Sequence, residues 1–142
     1  MLFGVEGRGK LRTSRVFVAG TGGLGSPIST YLAVAGVGKI IIADFDIVDS
    51  SNLNRQFLYH ERDIGRDKVE SAKKKLVSMN PEIKVDTIKE KITDENVGSI
   101  VSPCDLNIDA LDNFDTRHFF NKLAVERKIP LIYGAVSGYR AQ

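Results

Sequence analysis

Arg15-Val16-Phe17-Val18-Ala19-Gly20-Thr21-Gly22-Gly23-Leu24-Gly25 decides the fold of this chain. The first five residues are a short apolar run bounded by glycine, the pattern of a buried strand. The next six match Gly-x-Gly-x-x-Gly, and apolar residues Leu24, Ile28, Leu32 and Ala35 then recur at helical spacing. A glycine run between a strand and a helix has a physical use. Gly20 permits a tight turn, Gly22 lets a phosphate approach the backbone, and Gly25 lets helix and strand pack closely. The helix start adds unpaired N–H groups and a partial positive charge. Gly23 lies in the same loop.

Outward from this unit, strands and helices alternate. The first helix is expected from Gly23 to about Val37, stopped by Gly36 and Gly38. A second strand spans Lys39 to Asp44. Val69, Ala72, Leu76 and Met79 mark one face of a helix over Lys68–Met79, ended by Asn80-Pro81. Lys84 to Ile88 reads as a third strand and Asp94 to Val101 as a short helix. Leu106, Ile108 and Ala110 alternate on a fourth strand that runs into Leu111-Asp112. A helix over Phe114–Arg127, with Asp115 as its expected cap, carries Phe119, Phe120, Leu123 and Ala124. Pro130 to Tyr133 is a fifth strand.

Helical crossovers between strands imply a Rossmann-like, doubly wound α/β fold: a mainly parallel sheet with helices on both faces. Its 142 residues are expected to form a single domain, residues 1–142. Ligands of such sheets bind beyond the C-terminal strand ends. Gly20, Asp44 and Asp112 all fall at strand ends, so they should meet at one rim.

Bulk properties exclude several classes. The longest strongly apolar run, Ile40-Ile41-Ile42-Ala43, is too short to cross a bilayer, and the stretch from Met1 to Gly7 lacks a signal-peptide core. A cytoplasmic location is the expectation. A net charge of +2 argues for neither nucleic acid nor membrane partners. Lys73-Lys74-Lys75 reads as a solvated helix face. Cys104 is the only cysteine, which rules out an intrachain disulfide and a cysteine-built zinc site. His60, His118 and Cys104 lack partners at catalytic or metal-ligand spacing and read as structural.

The chemistry-bearing residues follow the second strand. Asp44, at its end, is placed to accept hydrogen bonds from ribose hydroxyls. Asp46 and Asp49 read as turn formers or neighbours of a metal. Asn52 and Arg55 share one helical turn, and a guanidinium fork suits phosphate. Lys68 at a helix start opposes the helix dipole, so an anionic partner is expected there. Asp112 beside Asn113 offers hard-oxygen ligation suited to Mg2+, or else a cap for the helix over Phe114–Arg127. Asp109 reads as paired or turned away, without a role.

Together these motifs resemble the ThiF/MoeB/HesA family, the relatives of ubiquitin-activating enzymes. The resemblance runs from about Phe3 to Gln142. It includes Gly20–Gly25, Ala35-Gly36-Val37-Gly38, Asp44-Phe45-Asp46-Ile47-Val48, Ser51-Asn52-Leu53-Asn54-Arg55-Gln56-Phe57, Gly65-Arg66-Asp67-Lys68-Val69-Glu70-Ser71-Ala72, Asn80-Pro81, Asp112-Asn113 and Ile129-Pro130-Leu131. The Ser-Asn-Leu-x-Arg-Gln element is the specific part.

The resemblance implies an ATP-dependent adenylyltransferase. Asp44 matches the ribose-binding aspartate; Asn52, Arg55 and Lys68 match triphosphate contacts, with Gln56 close by; Asp112 matches the aspartate associated with Mg2+. The implied substrates are ATP and the C-terminal Gly-Gly of a ubiquitin-like sulfur-carrier protein, and the products an acyl-adenylate and pyrophosphate. Members of the family also carry an N-terminal helix with an Arg-Tyr-x-Arg-Gln-like motif. They continue into further strands, often with zinc-binding Cys-x-x-Cys pairs and a catalytic cysteine. This sequence contains neither part, so no zinc is expected in it and truncation at both ends is the expectation. A sheet ending so early exposes an edge; a homodimer or hetero-oligomer is expected to cover it. Two other readings stand beside this one. One is a non-catalytic nucleotide-binding fragment or pseudoenzyme subunit. The other, suggested by the glycine run alone, is an NAD- or FAD-dependent oxidoreductase domain.

Overall fold

A computed structural model describes residues 4–101, 103–137 and 140–142. The start of the resemblance at Phe3 and the Met1–Phe3 part of the N-terminal stretch lie outside them. The elements run α1 (Gly4–Thr13), β1 (Arg15–Ala19), α2 (Gly25–Ala35), β2 (Lys39–Ala43), α3 (Lys68–Met79), β3 (Lys84–Ile88), α4 (Val97–Ile100), β4 (Leu106–Asp109), α5 (Phe114–Arg127), β5 (Leu131–Tyr133), β6 (Val136–Ser137) and β7 (Arg140–Ala141). Among the described residues no helix is long and apolar enough to cross a membrane.

β1 to β5 form one parallel sheet in the order β3-β2-β1-β4-β5, the expected half of a doubly wound fold. Alternate residues of each strand feed opposite faces. Val16, Val18, Ile40 and Ile42 pack with Ala33 of α2 and Val69, Ala72 and Leu76 of α3. Phe17, Ala19, Ile41 and Ala43 pack with Val97 and Ile100 of α4 and Phe120 and Leu123 of α5. Phe17 and Phe120 meet with ring centroids 5.6 Å apart. Each strand of the centre is thus apolar on both sides, which is why it reads as a continuous hydrophobic run.

Several expectations shift. α2 begins at Gly25 rather than Gly23, because Gly22 and Gly23 still belong to the turn. α4 is shorter than Asp94–Val101, and β4 stops at Asp109. Met79 is 47% exposed, at the frayed end of an otherwise buried stripe. Asn113, not Asp115, caps α5: its Oδ1 accepts from the Thr116 N–H at 2.9 Å. Lys75 is not solvated; its ammonium turns inward onto the Leu58 carbonyl and the Asp63 carboxylate. Helix α1 and the two-stranded β6–β7 pair were not expected at all.

Candidate nucleotide site at the sheet rim

The strand ends are flush. Ala19 of β1 pairs in register with Ala43 of β2 and with Asp109 of β4. The residues that follow therefore emerge side by side, as the sequence requires for Gly20 and Asp44. Gly20 has φ +90°, a conformation costly for any other residue. A Cβ there would also stand 2.8 Å from the Ala110 carbonyl oxygen, so the end of β4 abuts the glycine turn. At Gly25 a Cβ would stand 2.0 Å from the Gly20 oxygen, so only glycine lets α2 start this close to β1.

α2 opens without a side-chain cap. Among the described residues, the N–H groups of Gly22, Gly23, Leu24 and Gly25 have no acceptor. Such a helix start is an anion site. Asp44, half-buried, accepts from the Thr21 N–H at 2.8 Å and the Thr21 hydroxyl at 2.9 Å, and from the Asp46 N–H at 3.0 Å. A carboxylate has about four acceptor positions, so the ribose role expected of Asp44 still has room beside these bonds.

The segment after β2 folds over the glycine loop. Asp49 accepts from the N–H and hydroxyl of Ser51 and so caps a 3-10 turn over Ser50–Asn52. Those two bonds hold its carboxyl below the usual range. The chain then makes a helical turn in which the Arg55 and Gln56 N–H groups donate to the Asn52 carbonyl. This turn sets Gln56 against Gly22: the amide nitrogen lies 3.5 Å from where a Gly22 Cβ would be. The Arg55 stem lies 3.9 Å from the corresponding point on Gly23. Gln56 is buried and its Oε1 has no partner among the described residues. The Arg55 guanidinium is exposed and, among the described residues, bonded only to the Ser51 carbonyl and Asn54.

Lys68 is 5% exposed, and its ammonium meets Asp46 at 2.9 Å. The anion expected at this helix start is therefore present within the chain. Asp112 is exposed on the loop beyond Ala110, without a hydrogen bond among the described residues. With Asn113 taking the cap, the Asp112 carboxylate is spare. The structure thus brings Gly20, Gly22, Gly23, Gly25, Asp44, Arg55 and Gln56 into contact with one another's surroundings. Asn52 joins them through its carbonyl, which accepts from the Arg55 and Gln56 N–H groups; Lys68 stands at the start of α3, paired with Asp46, and Asp112 on the loop after β4.

Sequence reasoning missed four supporting side chains. Arg117 of α5 donates to the Leu111 and Gly134 carbonyls at 2.8 and 3.0 Å, pairs with Asp109 at 3.0 Å, and lies 5.5 Å from the Tyr133 ring centroid. Burial pushes the fully enclosed Asp109 carboxyl up, against the Leu111 N–H and the Arg117 charge. Asp109 is paired, as expected; only its partner was unforeseen. Tyr59 donates to the Thr21 carbonyl, and Lys75 and Asp63 form a pair beneath it. The only signal for any of these was an aromatic or charged residue in a segment already rich in both. Cys104 packs half-buried against the α5 side of the core, and burial pushes its thiol up, which disfavours the thiolate.

An uncapped helix start at the rim of a parallel sheet, flanked by an acidic strand end and an Arg-Gln turn, defines an α/β protein of the doubly wound class. The chain belongs to the ThiF family, whose model matches residues 1–142. It is 40% identical over 98% of its length to the SAMP-activating enzyme E1 of Haloferax volcanii, covering 52% of that protein. It is 42% identical, again over 98% of its length, to the sulfur carrier protein adenylyltransferase of Thermus thermophilus, covering 51% of it. The chain thus spans about half the length of these curated relatives. Among solved structures, E. coli tRNA N6-threonylcarbamoyladenosine dehydratase TcdA in complex with ATP matches with a TM-score of 0.93 at 28% identity. That match covers 98% of this chain and 58% of TcdA.

Proposed function

We propose that this chain carries the ATP site of an adenylyltransferase, which activates the C-terminal Gly-Gly carboxylate of a ubiquitin-like sulfur-carrier protein and releases pyrophosphate. The observation that carries this reading is the fold of the Ser51–Gln56 turn onto Gly22 and Gly23, which sets the Arg55 stem and the Gln56 amide against an uncapped helix start. The name of the Thermus relative supports the carrier substrate, and the ATP complex of TcdA supports the nucleotide.

The chemistry asks for little more than placement. A C-terminal carboxylate has a pKa of roughly 3.5 and is an anion at neutral pH. It attacks the α-phosphorus without a general base: a carboxylate oxygen bonds to phosphorus, the bond to the β-phosphate bridging oxygen breaks, and pyrophosphate leaves with that electron pair. The protein must hold two anions together and stabilise charge that moves onto the leaving group. The Gly22–Gly25 N–H groups receive phosphate oxygens, Arg55 and Lys68 supply cations, Asn52 and Gln56 fix orientation, and Asp44 takes the ribose. For Lys68 this means exchanging or sharing Asp46 with the phosphates.

Mg2+ fits what is present. Among the described residues no group of three or more His, Cys, Asp or Glu side chains is arranged to hold a metal. The spare Asp112 carboxylate matches the one or two carboxylates with which Mg2+ typically binds alongside substrate phosphates. Bound there, it would neutralise phosphate charge.

ATP–pyrophosphate exchange with a Gly-Gly-ended carrier tests the reading. Wild type should exchange. Arg55→Ala and Asp112→Ala, both at exposed positions, should lower the rate by on the order of 100-fold or more with an unchanged melting temperature. ATP binding without exchange would instead support the non-catalytic nucleotide module. Preference for NAD over ATP would support the oxidoreductase.

A further inference from the structure

We infer that Tyr59 and Ser26 are positioning residues that aim the Gly22 N–H at the nucleotide's phosphates; the inference rests on the nucleotide reading above. The argument starts from one peptide unit. The Thr21 carbonyl oxygen accepts two hydrogen bonds, from the Tyr59 hydroxyl and the Ser26 hydroxyl, both at 2.9 Å. A carbonyl oxygen has two lone pairs, so both are used. The donors come from separate parts of the chain, one from the segment after the Arg-Gln turn and one from the first turn of α2. All three residues are enclosed: Thr21 and Ser26 are 0% exposed and Tyr59 is 3% exposed.

In a trans peptide the C=O and the following N–H point in opposite directions. Two donors that draw the Thr21 oxygen into the protein therefore turn the Gly22 N–H outward. That N–H has no acceptor among the described residues. The Gln56 amide and the Arg55 stem pack beside Gly22 and Gly23. The other end of Thr21 is held as firmly, since its N–H and hydroxyl both donate to Asp44. The residue is thus fixed at both ends, and the one free direction left in its C-terminal peptide is the donor that faces the site.

Tyr59 is itself immobilised. Its N–H donates to the Gln56 carbonyl at 3.0 Å, and the Lys75 ammonium lies 5.7 Å from its ring centroid. Burial pushes its phenol well above the usual range, which keeps the hydroxyl protonated as a donor. An amide held in this way needs no reorganisation when an anion arrives, and this is what makes a backbone donor effective toward phosphate.

Titration calorimetry with ATP and with adenosine separates this role from a general structural one. The proteins are wild type, Tyr59→Phe and Ser26→Ala, each with its melting temperature measured. Loss of one hydrogen bond to Thr21 should weaken ATP binding about 3- to 10-fold while adenosine binding stays within about twofold. In wild type the Gly22 amide should show a large 15N shift with ATP and a small one with adenosine. If both variants keep the wild-type ratio of ATP to adenosine affinity, the positioning role is overturned while the nucleotide site stands. If wild type binds no ATP, the nucleotide reading falls and this inference falls with it.

Discussion

Replacing Lys75 by methionine should destabilise the protein by about 3 kcal/mol, whereas Lys74→Ala on the same helix should change stability by no more than about 0.5 kcal/mol. The difference follows from where the two ammonium groups go. Lys74 is exposed, while the Lys75 side chain is 13% exposed and Asp63 opposite it 7%. Lys75 donates to the Leu58 carbonyl at 2.5 Å and to Asp63. Removing one partner of a buried pair costs about 3–5 kcal/mol. Asp63 keeps the His60 N–H at 2.9 Å, which places the estimate at the lower end. For a chain of this size, about 3 kcal/mol corresponds to a fall in Tm of roughly 10 °C.

The pH dependence gives the sharper assay. Burial raises the Asp63 carboxyl, but the Lys75 hydrogen bond, the His60 N–H and nearby positive charge outweigh it and hold the group below its ordinary value. A folded-state value below the unfolded one of about 3.9 means full stabilisation above that pH, lost as pH falls through the folded value. In Lys75→Met burial is opposed only by the His60 N–H and the Arg62 charge, and the carboxyl rises. The variant's penalty is then largest at neutral pH and disappears as Asp63 protonates. Urea unfolding at pH 7, 5 and 4 should show the gap between wild type and variant closing toward pH 4, with Asp63→Asn/Lys75→Met recovering part of it at pH 7. A gap that is constant over this range, or a Lys74→Ala loss equal to that of Lys75→Met, would refute the reasoning.

Gly25→Ala should destabilise by more than about 2 kcal/mol in urea unfolding, because the new methyl meets the Gly20 oxygen at 2.0 Å and α2 must back away from β1. Gly9→Ala, on exposed α1 with nothing within 4 Å, should stabilise by up to about 1 kcal/mol; a loss at Gly9 as large as at Gly25 would contradict the packing argument. β5 pairs only with β4 among the described residues, and Ile132 and Tyr133 are 57% and 46% exposed. We expect light scattering to show self-association or capture of a partner chain along this edge; a stable monomer at high concentration refutes this.

The sheet was legible because its central strands are apolar on both faces and its turns are marked by glycine. Arg15–Ala19, Lys68–Met79 and Lys84–Ile88 have the bounds their patterns imply. α1 was not legible: Gly4, Gly7 and Gly9 weaken helix propensity, and the helix has no fully buried residue. What anchors it is tertiary, since Leu11 packs on the core and the Leu11 carbonyl accepts from the Gly38 N–H. The α5 cap was ambiguous because Asp112, Asn113 and Asp115 all have capping side chains; the path of the chain out of β4 decides it. Lys75 was misread for a related reason. Helical periodicity locates the apolar stripe but not a carboxylate brought in from a distant turn. At the site, the residues with a local motif could be read from sequence. Tyr59 and Arg117 could not, because each acts on a backbone carbonyl far from it along the chain.

The flush ends of β2, β1 and β4 make the rim a cross-section of the sheet. Neighbouring strands lie about 4.8 Å apart, so the positions after Ala43, Ala19 and Asp109 are spaced like the marks of a ruler laid across it. Each mark is set by the length of its own strand alone. A one-residue deletion within β2 would draw Asp44 back by about 3.3 Å and turn it to the opposite face, while Gly20 and the β4 loop stayed in place. Length changes of this kind therefore shift the rim when they fall inside the three short strands and leave it in place when they fall on the opposite side of the sheet, where the connections have no part in it.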